Sequence, residues 1–231
     1  MVTLTSGTPT TPDDLSDRAH RQLIGYIGLV LPVLLIVIAN WRDGLEQWKK
    51  LPSISAYYYT GAVTVFVGML VALALFLFTY RGYANKYHRY DRAAAVIAAS
   101  AALGEAFFPT KVPEGFVALT WWAPWNGVVH LISATVLLLM FALFALWLFR
   151  VTPDGQAVAP DRKWRNRVYL ICGVAILACL AWAGWAGKHG WPIFWPESFA
   201  LVAFSISWLV KGDAHQTIAQ VTQSVLRGKG A

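Results

Sequence analysis

Six long apolar runs, separated by polar and aromatic segments, occupy most of the chain. The second run, from Gly61 to Phe78, contains no charged residue. A helix rises about 1.5 Å per residue, so a run of this length nearly crosses the roughly 30 Å of hydrocarbon in a bilayer. The pattern therefore predicts six membrane-spanning helices, at Leu23–Ala39, Gly61–Phe78, Ala93–Phe108, Gly127–Phe149, Val168–Gly187 and Glu197–Val210.

The predicted fold is all-α, a bundle of six transmembrane helices within residues 21–212. Residues 1–20 begin with a Thr-, Pro- and Asp-rich stretch that has almost nothing to bury, so they are predicted to be a disordered cytoplasmic tail. Residues 213–231 are predicted to be a second cytoplasmic tail. Apolar residues at helical spacing in 213–226 suggest an amphipathic helix on the membrane surface there, and a frayed polar tail is the alternative.

Composition supports a membrane protein. Hydrophobic residues make up 57% of the 231 positions and charged residues 13%, whereas soluble domains carry roughly 25% charged residues. The net charge of +7 does not indicate nucleic-acid binding, because the basic residues lie between apolar runs instead of forming one patch. The predicted partners are membrane lipids, with no nucleic acid, and nothing in the pattern indicates an oligomeric state.

The basic residues predict the orientation. Most of the 19 Lys and Arg residues lie in the two tails and in the loops after spans two and four. Cytoplasmic loops carry an excess of Lys and Arg, so both termini are predicted to be cytoplasmic. The predicted location is a cell membrane, as a multi-pass protein of the bacterial inner or plasma membrane. The residues left for the other three loops are Arg42, Lys49, Lys50, Lys111 and Lys188.

Polar side chains at the outer ends of the spans are the candidates for function. An ionisable group at a helix centre costs roughly 2.5–3.5 kcal/mol on insertion scales, which makes each one a functional candidate. We expect these side chains to share one outer-leaflet pocket, in which the Glu105 carboxylate bonds to the His130 imidazole. The six candidates are Ser53, Ser55, Tyr57, Glu105, His130 and Glu197.

Structural roles are the alternative for most of these residues. Glu197 follows a proline at a helix start, where the helix dipole favours a carboxylate. Ser53 and Ser55 are also suited to helix capping, and Tyr57 to anchoring at the membrane interface. Glu105 differs, because it lies near a helix C-terminus where the dipole opposes its charge.

Small residues predict how the helices pack. Gly25 and Gly28 form a small-residue face on span one, suited to close contact with another helix. The same reasoning places spans two and five inside the bundle and leaves span four facing lipid more. The glycines expected to make the internal contacts are Gly61, Gly68, Gly173 and Gly184.

Three motifs carry a resemblance to known families: Ser53-Ile-Ser-Ala-Tyr-Tyr-Tyr59 before a Phe-Val-Gly-Met-Leu span, Val129-His-Leu-Ile-Ser-Ala134, and the segment from Glu197 to Ser207-Trp-Leu-Val-Lys-Gly212. In these the chain resembles a bacterial six-span family known only as a domain of unknown function. More distantly, its Pro-Ser-Ile-Ser head and the histidine opening a later span are similar to the Frag/DRAM/Sfk group. Some of that group's members are linked to lipid remodelling and distribution, so the resemblance implies lipid handling.

Two functions follow from these observations. The first is an integral membrane protein that binds or handles a lipid in the outer-leaflet pocket. The alternative is an intramembrane metal-dependent hydrolase acting on a lipid amide or ester, with His130, Glu105 and Glu197 imitating part of a zinc site. A transporter or channel is less favoured, because no charged residue is expected at mid-membrane. No cofactor is predicted, and whether the protein catalyses a reaction is left open.

Overall fold

A computed structural model describes residues 12–44, 51–82, 86–151 and 161–214, with side chains from Ser16 onward. These residues are all-helical and contain no strand, which confirms the predicted all-α class for this part of the chain. Two short 3₁₀-helices, Ser55–Tyr59 and Leu148–Arg150, accompany the α-helices. The α-helices are α1 (Pro12–Asp43), α2 (Val63–Thr79), α3 (His88–Phe107), α4 (Pro124–Leu146), α5 (Arg162–Lys188) and α6 (Phe194–Lys211).

Three stretches within these helices are long and apolar enough to cross a membrane: Ser16–Asp43 in α1, Pro124–Arg150 in α4 with the following 3₁₀-helix, and Arg162–Lys188 in α5. Helix α2 is apolar but shorter. Each of the six predicted spans overlaps one α-helix, although α3 and α6 do not meet the same criterion of length and composition.

The helices pack in sequence order, and α6 returns to pack on α1, which closes the bundle. At one end the N-terminus of α2 meets the C-terminus of α1, since Gly61 N–H donates to the Asp43 carboxylate at 2.6 Å. The helix junctions α1–α2, α3–α4 and α5–α6 lie there, and we call this the carboxylate end. The opposite end, where Arg165 of α5 contacts Asp213 after α6, is called the basic end.

Aromatic side chains fill the core between α4 and α6. The rings of Phe141 and Phe204 are stacked with centroids 3.6 Å apart, and Trp208 packs edge-on against Tyr80 and Phe144. Phe141, Phe204 and Trp208 are fully buried. Large rings bury much apolar surface when they pack together. This cluster therefore holds α4 and α6 together, although the two helices are not consecutive in the chain.

The small-residue face of α1 is confirmed. A Cβ atom added to Gly25 would lie 2.8 Å from Leu209 Cγ, and one added to Gly28 would lie 2.7 Å from Phe204 Cδ1. The prediction for Gly68 and Gly184 is wrong, because an added Cβ at either position meets no atom of the described residues within 4 Å. Helix α5 is the least buried of the three span candidates and is less buried than α4, so the prediction that span five lies inside the bundle and span four faces lipid more is wrong.

Helix α1 begins at Pro12, so the prediction of a disordered tail is wrong for residues 12–20. Proline is favoured in the first turn of a helix. Within this extension His20 Nε2 lies 2.7 Å from the Phe76 carbonyl oxygen of α2, which ties the added turns to the bundle. The predicted C-terminal amphipathic helix falls almost entirely outside the described residues.

Candidate functional site

The segment before α2 docks onto the N-terminus of α6. The Pro52 carbonyl accepts hydrogen bonds from Ile193 N–H at 2.6 Å and Phe194 N–H at 3.0 Å. In return, Ile54 N–H donates to Glu197 Oε2 at 2.6 Å. The first N–H groups of a helix have no partner within it, so this contact satisfies donors at the start of α6 while it fixes Glu197.

The two candidate serines lie within this docked segment and are buried. Ser53 Oγ accepts a hydrogen bond from Ala56 N–H at 3.0 Å and lies 3.1 Å from Ser55 Oγ. Hydroxyls bonded to nearby backbone stabilise turns of this kind. These contacts give Ser53 a structural role, that of closing the turn that leads into the 3₁₀-helix.

Tyr57 is fully buried against the start of α6, so the interpretation of this side chain as an interface anchor is wrong. Its ring lies 6.2 Å from that of Phe194, and its hydroxyl has no hydrogen-bond partner among the described residues. Burial raises the pKa of the Tyr57 phenol, so the hydroxyl keeps its proton and is available as a donor. The neighbouring Tyr59 instead donates to the Thr110 carbonyl at 2.7 Å.

Glu105 and Glu197 line one cavity of about 50 Å³ near the carboxylate end. The stacked pair of Phe141 and Phe204 lies one turn beyond lining residues of α4 and α6. Apart from the two carboxylates the wall is apolar. The other lining residues are Ile27, Gly28 and Leu31 of α1, Ile54 of the docked segment, Met69, Leu70 and Leu73 of α2, Ala134, Leu137 and Leu138 of α4, and Leu201 of α6.

The Glu105 carboxylate makes no hydrogen bond or ion pair with any described residue, in contrast to Glu197. An ionised carboxylate away from water costs several kcal/mol unless it is paired and hydrogen-bonded. Glu105 therefore requires a proton, water or a bound molecule in the cavity. A volume of about 50 Å³ has room for a small polar group.

The predicted bond between the Glu105 and His130 side chains is absent. His130 Nδ1 lies 2.7 Å from the Phe108 carbonyl oxygen, and the imidazole stacks on the Phe66 ring. Helix α3 ends at Phe107, and carbonyl groups at a helix C-terminus lack partners within the helix. Such a carbonyl competes with the Glu105 carboxylate for the hydrogen bond that the imidazole donates. Because a carbonyl only accepts, Nδ1 carries the proton, which leaves the buried Nε2 as an acceptor without a partner in the described structure.

Besides Asn40 Oδ1 in the last turn of α1, two further residues at this end have buried polar atoms without a partner among the described residues. They are Asn126, at both side-chain polar atoms, and Ser198, at Oγ. Asn126 lies one turn before His130 on α4, and Ser198 follows Glu197. Sequence reasoning missed both, because Asn and Ser near a helix start usually indicate capping. The signal available in the sequence was their position, one helical turn from His130 for Asn126 and next to Glu197 for Ser198.

The described residues bring no group of three or more His, Cys, Asp or Glu side chains close enough to hold a metal ion. A catalytic zinc site normally has three protein ligands. The metal-dependent hydrolase alternative therefore finds no ligand set in the described part of the chain. Both cysteines lie on α5, which contributes none of the described cavity lining.

No family model, curated protein or solved structure matches this chain. The resemblances drawn from sequence motifs remain predictions.

Proposed function

We propose that the chain is an integral membrane protein with six spans and cytoplasmic termini, and that its cavity binds the polar end of a membrane amphiphile such as a lipid. The observation that carries this proposal is the Glu105 carboxylate, which has no partner in the described structure and lines a cavity whose other described lining residues, apart from Glu197, are apolar.

The membrane topology rests on two supports. Three stretches are long and apolar enough to cross a bilayer, and the other α-helices overlap the remaining apolar runs. The basic residues concentrate in the tails and two loops, which favours a cytoplasmic position for the basic end. The cavity then lies in the outer half of the membrane.

An amphiphile fits this cavity better than a fully polar ligand does. The aliphatic wall favours apolar groups, and the carboxylates offer acceptors at one level. A cavity of about 50 Å³ holds only the polar end, so the tail must leave between helices. Helices α1 and α2 share the least extensive contact of any pair of consecutive helices, and the half-buried Ile27 and Met69 of these helices both line the cavity. We therefore place the tail in the seam between α1 and α2.

Native mass spectrometry of protein released from lipid nanodiscs tests the proposal. We expect one retained lipid per chain in the wild type and its loss in Ala134→Trp, which fills the cavity from α4. Leu131→Trp is the matched control, because Leu131 lies on the same helix and is exposed. Equal lipid retention by the wild type and both variants would contradict the proposal.

A further inference from the structure

We infer that the polar end of the bound amphiphile is a primary amine in its charged ammonium form. This inference rests on the proposed function and specifies the ligand of the same cavity. It starts from the charge of the wall, which carries two carboxylates and, among the described lining residues, no Lys, Arg or His.

The two carboxylates leave a defined set of acceptors. Glu197 uses Oε2 for the Ile54 N–H, so its Oε1 remains, together with both oxygens of Glu105. An ammonium group carries three N–H donors and no acceptor. It therefore matches these oxygens in number and in kind, whereas a hydroxyl donates a single hydrogen bond.

Electrostatics favours the same ligand class. Two carboxylates facing one apolar cavity repel each other, and each is costly when it is removed from water without a counter-charge. One cation between them reduces both the repulsion and the cost of removing the carboxylates from water. A phosphate, sulfate or carboxylate headgroup would add a further negative charge to the same cavity. Among the common lipid headgroups, the wall therefore favours a cationic group, and its free acceptors favour an amine over choline, which has no N–H donor.

Buried hydroxyls without a partner among the described residues also occur in the two segments that carry Ile54 and Glu197, although neither side chain lines the cavity itself. Ser198 follows Glu197 directly, and Tyr57 lies three residues beyond Ile54 in the same docked segment. Both side chains are more than nine-tenths buried, and neither hydroxyl has a partner among the described residues. Buried hydroxyls are nearly always satisfied in folded proteins, so this end of the bundle is incomplete without water or a ligand.

Binding of single-chain probes to the full-length protein in phosphatidylcholine nanodiscs tests the inference. The probes are dodecylamine, dodecanol and dodecanoic acid, which share one tail, and binding is followed by tryptophan fluorescence. We expect dodecylamine to bind at least tenfold more tightly than dodecanol, and dodecanoic acid to bind most weakly. Glu105→Gln and Glu197→Gln should each abolish most of the preference for the amine. Glu114→Gln, which changes an exposed carboxylate in the loop between α3 and α4, should keep it.

The outcomes separate this inference from the proposed function. If dodecanol binds as tightly as dodecylamine, and Ala134→Trp blocks both, the amine inference fails and the amphiphile cavity stands. If Ala134→Trp changes the binding of neither probe, both fail. Phosphatidylethanolamine in the nanodisc identifies the source of the amine. Its competition with dodecylamine would assign an aminophospholipid, and its failure to compete would assign a free long-chain amine.

Discussion

At the scale of single residues, Glu105 and Glu197 share a cavity but differ in their bonding. Glu197 holds the docked segment through Ile54 N–H, whereas Glu105 contributes no hydrogen bond within the described structure. The first carboxylate therefore contributes to holding the fold together, whereas the second makes no such contribution within the described structure.

This difference predicts opposite effects on stability. Glu197→Leu leaves the Ile54 N–H unsatisfied, and an unsatisfied buried donor costs about 1–3 kcal/mol. Glu105→Leu removes an unpartnered polar group from an apolar wall, so the free energy of unfolding should stay the same or rise. Reversible unfolding in mixed micelles measures both variants. A larger loss in Glu105→Leu than in Glu197→Leu would contradict the assignment.

Glycine contacts give a second prediction. Gly25→Leu should lower the free energy of unfolding by about 1–3 kcal/mol, because the new side chain meets Leu209, whose backbone nitrogen lies 3.1 Å from the added Cβ. Gly68→Leu is the control, since its Cβ meets nothing within 4 Å and exposed substitutions usually change stability by less than about 0.5 kcal/mol. Equal losses in the two variants would mean that α1 and α6 do not pack as described.

The sequence predicted the cost of burying Glu105 but not the partner of His130. The free-energy cost of inserting an ionisable side chain into a membrane marks such a residue within an apolar run, and this cost can be judged without knowing which helix packs against it. The partner depends on where α3 ends, because the carbonyl of Phe108 becomes available only beyond the last helical residue. Helix ends are set by local geometry that apolar patterning does not encode.

At the scale of helices, the apolar runs predicted which elements exist better than where they end. Helix α1 extends to Pro12 and α5 begins at Arg162, both beyond the predicted spans. Hydropathy detects only the part of a helix that would lie in hydrocarbon. The added turns are polar, and their contacts are made at the basic end of the bundle, as the bond between Arg165 and Asp213 illustrates.

The contact between α5 and the end of α6 yields a third prediction. Arg165 Nη1 donates to Asp213 Oδ1 at 2.5 Å, and Nη2 donates to the Val210 carbonyl at 2.9 Å. A cation at a helix C-terminus also complements the helix dipole. Arg165→Ala and Asp213→Ala should therefore each destabilise the fold, with a coupling energy of about 0.5–3 kcal/mol in a double-mutant cycle.

Lys163→Ala is the control for this cycle, because Lys163 is exposed and lies in the same first turn of α5. It should change stability little and add independently to Asp213→Ala. Strict additivity of Arg165→Ala and Asp213→Ala would show that the ion pair does not hold the two helices together.

At the scale of the whole molecule, the proposed orientation requires the carboxylate end to face outward. The three stretches that are apolar enough to span do not include α3 and α6, which carry the two carboxylates. Their place in the membrane therefore depends on packing against the more apolar helices. Helix α6 packs on α1 and α5, and α3 packs on α2 and α4.

Single-cysteine labelling tests this orientation in intact cells, with Cys172 and Cys179 replaced by Ala. A cysteine at Glu114 or Lys188 should react with a membrane-impermeant maleimide, whereas one at Lys163 should react only after the membrane is opened. The native side chains at all three positions are exposed. Labelling therefore depends on which side of the membrane the residue lies and not on whether it is buried in the protein. Labelling of Lys163→Cys but not Glu114→Cys in intact cells would reverse the orientation.

Photo-cross-linking tests the central claim, binding of an amphiphile's polar end in the cavity, most directly. A dodecylamine analogue with a diazirine beside its amine would be activated in nanodiscs, and the modified residues identified by mass spectrometry. Binding in the cavity predicts adducts on the lining residues Met69, Leu138 and Leu201, and their loss in Ala134→Trp. Adducts confined to exposed apolar positions such as Leu131 and Ile171, unchanged by Ala134→Trp, would contradict it.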